Sequence, residues 1–227
     1  MLFCTLISSV FKVKINRGIN MCFNATIMTP LEVAQKEYNL RVSNDFKYVG
    51  YGEYKVAFTH PFLPIILENR VLSLGKWGLI PSWVRECKKS EEIVKYTLNA
   101  RIETLREKPS FKGSVEHGRI LIIFDGFYEW KDEGSSKTPF YISHNQGKPL
   151  LALGLLSPWG GVNTFSLITT DAQGIMAEVH NSKQRMPFFV DGSDIDIWLD
   201  SNIPYGEVIK KIKPKYDDLK AIEKSPN

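Results

Sequence analysis

RILIIFDGFYEWK, residues 119–131, opens on an unbroken apolar run from Ile120 to Phe124 and closes on Phe127-Tyr128-Glu129-Trp130. A run of that length without helical spacing reads as a strand buried on both faces. Asp125-Gly126 is a turn or bulge signal that re-aims the side chains behind it. Glu129 then sits among three aromatic residues. A charged carboxylate is costly in apolar surroundings, so its pKa is expected to rise unless it is paired. Proteins prepare proton-transfer groups in this way. The plainer alternative is a rim glutamate paired with Lys131 or an arginine.

Downstream, the polar tip at 132–137 is followed by strand-like runs at 139–142, 150–156 and 164–170, joined by turns. Asp171 is then placed to cap a helix whose apolar face is Ile175, Met176 and Val179, ending at His180-Asn181. The helix dipole favours the protonated form of a histidine at that end, which suits an acid or base near neutral pH. A histidine that merely caps the helix is the alternative. Lys183 and Arg185 make a short basic loop before another strand over 186–190. Short helices are expected near 193–200 and 205–212, then a polar, frayed terminus.

Upstream, residues 109–117 read as a short helix or turn. Asn99-Ala100-Arg101-Ile102-Glu103-Thr104 offers an amide with both donor and acceptor, and an arginine fork that suits phosphate. Capping plus an Arg–Glu pair explains it equally well. Residues 85–95 are charged and read as solvated. In Trp77-Gly78-Leu79-Ile80-Pro81-Ser82-Trp83, two indoles flank a turn and either stack on a base or belong to the core. Residues 61–67 are strand-like, their prolines marking an edge or strand start. Residues 42–53 read as loop. Thr29-Pro30-Leu31-Glu32 carries the marks of a helix start: a cap, proline behind it, and glutamate three after the cap.

With 227 residues, 43% of them hydrophobic, the chain can bury a sizeable core. One domain is the simplest reading. No apolar run approaches the roughly 18–20 residues needed to span a bilayer, so no membrane partner is expected. The three cysteines, Cys4, Cys22 and Cys87, form neither a disulfide framework nor a zinc-ligand spacing, and a reducing cytosol fits best. Lys12, Lys14 and Arg17 lie in residues 1–20 with no acid beside them. They supply three of the four net positive charges, leaving +1 on the rest. Overall charge therefore gives no argument for nucleic acid; only a local patch would.

Residues 1–20 look unlike the rest of the chain. They lack the basic start and the cleavage site of a signal peptide. The expectation is that they are not part of the mature protein and that Met21 is the true start; a short strand or an anchor is the alternative. Removal of Met21 would then leave Cys22 with a free α-amine. Amine and thiol have ordinary pKa values near ~7.7–8.0 and ~8.5, so both are nucleophilic near neutrality. Such a pair can capture an aldehyde twice, as a Schiff base and then as a five-membered thiazolidine. Taken alone, Cys22 reads as a buried structural thiol.

Met21-Cys22, WGLIPSW, NARIET, DGFYEWK, the ITTDA helix with His180, and RMP together resemble the SRAP family, proteins that shield abasic sites. The likeness runs from Met21 to about Leu199. It implies an α+β fold: a single domain with a mostly antiparallel, barrel-like sheet and flanking helices. It also implies a groove for single-stranded DNA containing abasic sites, a covalent DNA–protein crosslink, and no cofactor or metal. Carried across motif by motif, the catalytic residues are Cys22, Asn99, Glu129 and His180. The DNA contacts are Trp77 and Arg101, with Lys183 and Arg185 on the basic loop. Weak lyase activity and autocleavage before Cys22 are further implications, and a monomer is expected. Two departures stand out. Phe23-Asn24 replaces the usual Gly-Arg after the cysteine, and the loop from His180 to Arg185 is longer than the bacterial form. A thiol peptidase using Cys22 and His180, and a non-catalytic nucleic-acid binding module, remain open.

Overall fold

Every residue of the strand Arg119–Phe124 is buried, as an apolar run that must face protein on both sides requires. The computed structural model describes residues 24–42, 46–48 and 54–226. Among them the strands are β1 (Asn24–Thr26), β2 (Arg41–Val42), β3 (Tyr54–Val56), β4 (Phe62–Leu67), β5 (Val71–Trp77), β6 (Asn99–Arg101) and β7 (Arg119–Phe124). They continue as β8 (Gly126–Asp132), β9 (Lys137–His144), β10 (Leu150–Trp159), β11 (Val162–Asp171), β12 (Arg185–Pro187), β13 (Phe189–Val190) and β14 (Leu219–Glu223). The helices are α1 (Leu31–Tyr38), α2 (Cys87–Ile93), α3 (Pro109–Lys112), α4 (Ile175–Val179), α5 (Ile195–Leu199) and α6 (Tyr205–Lys211).

β5, β4, β7, β10 and β11 pair in that order, each antiparallel to the next. The ring closes where β11 meets β5 in parallel, with Thr164 opposite Lys76 and Phe165 opposite Trp77. Alternation then sorts the side chains. Leu63, Ile65, Trp77, Ile120, Ile122, Ala152, Phe165 and Leu167 pack into one core. Ile66, Leu72, Leu121, Ile123, Leu151, Leu153 and Ile168 pack into the other, under α1, α5 and α6. The single α+β domain with a barrel-like, mostly antiparallel sheet is therefore as expected.

At Asp125 the chain leaves the ring for a second, all-antiparallel sheet in the order β14-β9-β8-β1-β3. Gly126 is needed there: a Cβ would lie 2.5 Å from the Ile142 carbonyl oxygen and from the Tyr141 ring. The Asp125 amide donates to the Thr26 carbonyl at 2.9 Å. Its Oδ2 accepts from the amides of Met28 and Thr29.

That contact corrects one expectation. Thr29 does not cap α1; Pro30 occupies the cap position without a side-chain bond. Asp125, far away in sequence, holds the Met28 and Thr29 amides just ahead of the helix. Nor does Asp171 cap α4, whose cap is Gly174; the Asp171 carboxylate bonds Arg185 Nη1 at 2.6 Å. Residues 219–223 are not frayed. They form β14, five residues paired along β9. Pro64 lies in an interior strand, at the stretch where β4 pairs with β5 and β7 has not yet joined, so its missing N–H is tolerated. Of the loop expected over 42–53, Val42 pairs in β2, and residues 43–45 and 49–53 lie outside the described set. Among the described residues no helix is long and apolar enough to cross a membrane.

Candidate active site

Period-two alternation along β8 sends Phe127 and Glu129 to one face and Gly126 and Tyr128 to the other. Phe127 joins the apolar core, and Glu129 follows it inward to 5% exposure. The carboxylate meets the imidazole of His180, the residue that closes α4: Oε2 stands 3.7 Å from Nδ1. Its Oε1 accepts from the Trp130 amide at 3.2 Å. The rim glutamate paired with Lys131 is thus not what the chain builds.

His180 is 1% exposed. Its Nδ1 is hydrogen-bonded to the Arg185 carbonyl. A carbonyl oxygen only accepts, so Nδ1 carries the proton in the neutral ring as well as the charged one. Nε2 is then the atom free to take or give a proton. It is buried and has no hydrogen-bond partner among the described residues.

Asn99 opens β6, which runs parallel to β11 with Asn99 opposite Leu167. It is 8% exposed, and neither Nδ2 nor Oδ1 has a partner among the described residues. Leaving a buried amide unsatisfied costs roughly 1–3 kcal/mol. A group kept in that state is set aside for a ligand or a further segment of chain. A narrow cleft lined by Asn24, Ala25, Trp77, Phe124, Phe127, Leu167 and Pro187 marks where β1, β8, β11 and β12 converge. Leu167 is the ladder neighbour of Asn99, and Phe127 is two residues from Glu129 on the same face. Cys22 lies outside the described residues.

The expected DNA contacts divide. Arg101 and Lys183 are exposed. Trp77 is not a stacking platform: it is 3% exposed, its Nε1 donates to the Leu98 carbonyl at 2.8 Å, and its ring stacks on Phe165. The other indole of that turn, Trp83, is 47% exposed, with the Lys89 ammonium 4.9 Å from its ring centroid. Arg185 is not available to a phosphate either. Its guanidinium bonds both oxygens of Glu103 at 3.0 and 3.1 Å, Asp171 at 2.6 Å and the Thr169 carbonyl at 2.7 Å. A phosphate would have to displace two carboxylates. The clamp instead fixes β12 against β11, and with it the carbonyl that accepts from His180.

The closed ring, the second sheet laid against it and the buried carboxylate–imidazole pair define a single-domain α+β protein with a candidate site at Glu129 and His180. Residues 21–225 match the family described as SOS response associated peptidase (SRAP), and the chain belongs to it. It is 34% identical over 174 residues to abasic site processing protein HMCES of Gallus gallus, covering 65% of this chain and 51% of that protein. It is 30% identical over 219 residues to abasic site processing protein YoqW of Bacillus subtilis, covering 90% and 92%. The chain thus spans about half the length of the vertebrate relatives and nearly all of the bacterial one. An X-ray structure of a protein from Bacteroides thetaiotaomicron superposes with a TM-score of 0.79 at 30% identity, covering 88% of this chain and 90% of that one.

Proposed function

We propose that this protein processes abasic sites in single-stranded DNA by covalent capture through Cys22. The mature protein starts at that residue, without residues 1–21, and acts as a monomer. The α-amine adds to the aldehyde carbon of the ring-opened sugar, forming a C–N bond. The aldehyde oxygen takes up two protons, one of them from the amine, and leaves as water with cleavage of its bond to carbon. This gives a protonated Schiff base, whose C=N π electrons pass to nitrogen as the thiolate adds to the same carbon and closes the thiazolidine. Glu129 relays the protons of the amine and of the departing oxygen. His180 Nε2 moves the sugar hydroxyl proton during ring opening. The Asn99 amide orients the sugar or the cysteine by hydrogen bonds. Arg101 and Lys183 hold flanking phosphates, a contact that weakens with salt. Trp83, rather than the buried Trp77, stacks on a neighbouring base.

The observation that carries this reading is the buried Glu129–His180 pair. β1 is antiparallel to β8, with Ala25 opposite Phe127, so the Asn24 end of β1 is the end nearer Glu129. Two residues of chain reach at most about 7 Å, which keeps Cys22 close to the cleft that Asn24 lines. The relatives named as abasic site processing proteins support the choice of substrate.

The test is a denaturing gel of protein and a single-stranded oligonucleotide bearing one abasic site. A shifted band is expected for protein starting at Cys22. None is expected for Cys22→Ser or for protein retaining residues 1–21. Glu129→Gln should slow capture by about 100-fold or more, the usual weight of a general acid–base group. Peptide-bond cleavage without a crosslink would replace this reading with a thiol peptidase; salt-sensitive binding alone would leave a binding module.

A further inference from the structure

His180 Nδ1 and Glu129 Oε2 stand 3.7 Å apart, beyond direct hydrogen-bonding distance. Their spacing thus depends on how the two backbones that carry them are held, and beside the apolar packing of Met176 and Val179 with Phe127 a side-chain amide ties those backbones directly. Asn181 follows His180 directly. Its Oδ1 accepts from the Asp132 amide at 3.0 Å, and its Nδ2 donates to the Asp132 carbonyl at 2.8 Å. Asp132 ends β8, three residues beyond Glu129. One side-chain amide thus reproduces a rung of antiparallel ladder between the imidazole segment and the carboxylate strand.

The rest of the segment folds back on α4 rather than across to β8. Gln184, at φ +53°, donates its amide to the His180 carbonyl at 3.0 Å. Its Nε2 donates to the carbonyls of Ala177 at 3.1 Å and Asn181 at 3.2 Å. The extra length between His180 and Arg185 makes room for this turn and presents Asn181 to β8. Asn181 is exposed, so its amide adds nothing to the core. Both of its bonds to β8 use main-chain atoms of Asp132. The Asp132 side chain is occupied elsewhere, accepting from the Gly134 amide at 2.9 Å in the hairpin tip.

We propose that Asn181 is a positioning residue, whose amide brackets β8 to the His180 segment and holds the carboxylate–imidazole spacing for proton transfer. This rests on the roles given to Glu129 and His180 in the proposed function. Bond making at the sugar depends on sub-ångström placement, and a displacement of about 1 Å at such a site costs up to 100-fold in rate.

The test measures single-turnover capture of the abasic oligonucleotide against its concentration, using protein that starts at Cys22. Asn181→Ala should lower the maximal rate by between about tenfold and 100-fold, with the half-saturating concentration unchanged. Asp132→Ala keeps the main-chain partners and should behave as wild type. Asn181→Asp keeps the acceptor and should fall between; it serves if Asn181→Ala does not fold. The His180 imidazole nitrogen shifts, assigned with His180→Ala, should move in Asn181→Ala and stay put in Asp132→Ala. That last measurement needs no DNA, so it judges the bracket even if wild type fails to crosslink, a result that would sink the functional reading instead. A maximal rate within twofold of wild type, an equal loss in Asp132→Ala, or unmoved His180 shifts would overturn the proposal.

Discussion

Trp77 and Trp83 flank the same turn and do opposite things. Trp77 shares the inward face of β5 with Gly75, where a Cβ would come within 2.8 Å of Phe165. Truncating a buried aromatic of this kind costs about 3–5 kcal/mol. Trp77→Ala is thus expected to lower the urea midpoint sharply. Trp83→Ala should leave that midpoint nearly unchanged and weaken binding of a single-stranded oligonucleotide by about 1–3 kcal/mol, the range for one lost base stack. Equal destabilisation of the two variants would contradict this division. Nothing local in WGLIPSW separates the indoles; what does is Phe165, which lies opposite Trp77 on the neighbouring strand β11 and far along the chain. The carboxylate–imidazole pair is the same kind of case. Glu129 stands out by its aromatic neighbours and His180 by its place at a helix end, but only the likeness to a family brings the two into one site. Arg185 reads as a free cation in the sequence because its two carboxylates, Glu103 and Asp171, sit on other elements.

Elements with a single strong pattern are the most legible. β7 comes directly from an apolar run that leaves no polar face, and α1 from the spacing of Leu31, Ala34 and Tyr38. Element ends are less so: Asp125, far along the chain, holds the Met28 and Thr29 amides just ahead of α1, and Thr29 leaves the helix uncapped. β14 escapes a sequence reading since LKAIE has no clean alternation, and its pairing is main-chain addition to the edge of β9. A testable tie between elements is Asp196 on α5, which accepts from Arg70 at 2.8 Å through both oxygens. That bond holds the Asp196 carboxyl below the usual aspartate range. A carboxylate whose folded pKa is depressed stabilises the fold above the unfolded value, near ~3.9, and loses that contribution as pH falls through the folded value. The pair is largely exposed, so its worth is below about 1 kcal/mol. Asp196→Asn should therefore lower stability slightly at pH 7 and by less at pH 2, read from paired urea denaturation curves.

Across the whole molecule, a chain ending at Tyr216 would keep the ring, the helices and the cleft but leave β9 as a bare edge. It would lose about 1–3 kcal/mol, a drop of roughly 2–10 °C in Tm for a chain of this size. Open edges template pairing with other chains, so the shortened protein should also scatter light in a concentration-dependent way while retaining crosslinking. Loss of crosslinking with an intact fold would mean that β14 does more than guard an edge. The seam of the ring carries a different consequence. β5 and β11 touch along two residue pairs whose members are 88 positions apart. On the ribosome, the first half of the barrel must wait, open on one side, until the segment around Phe165 has cleared the exit tunnel. Its nascent apolar wall is what a chaperone would see.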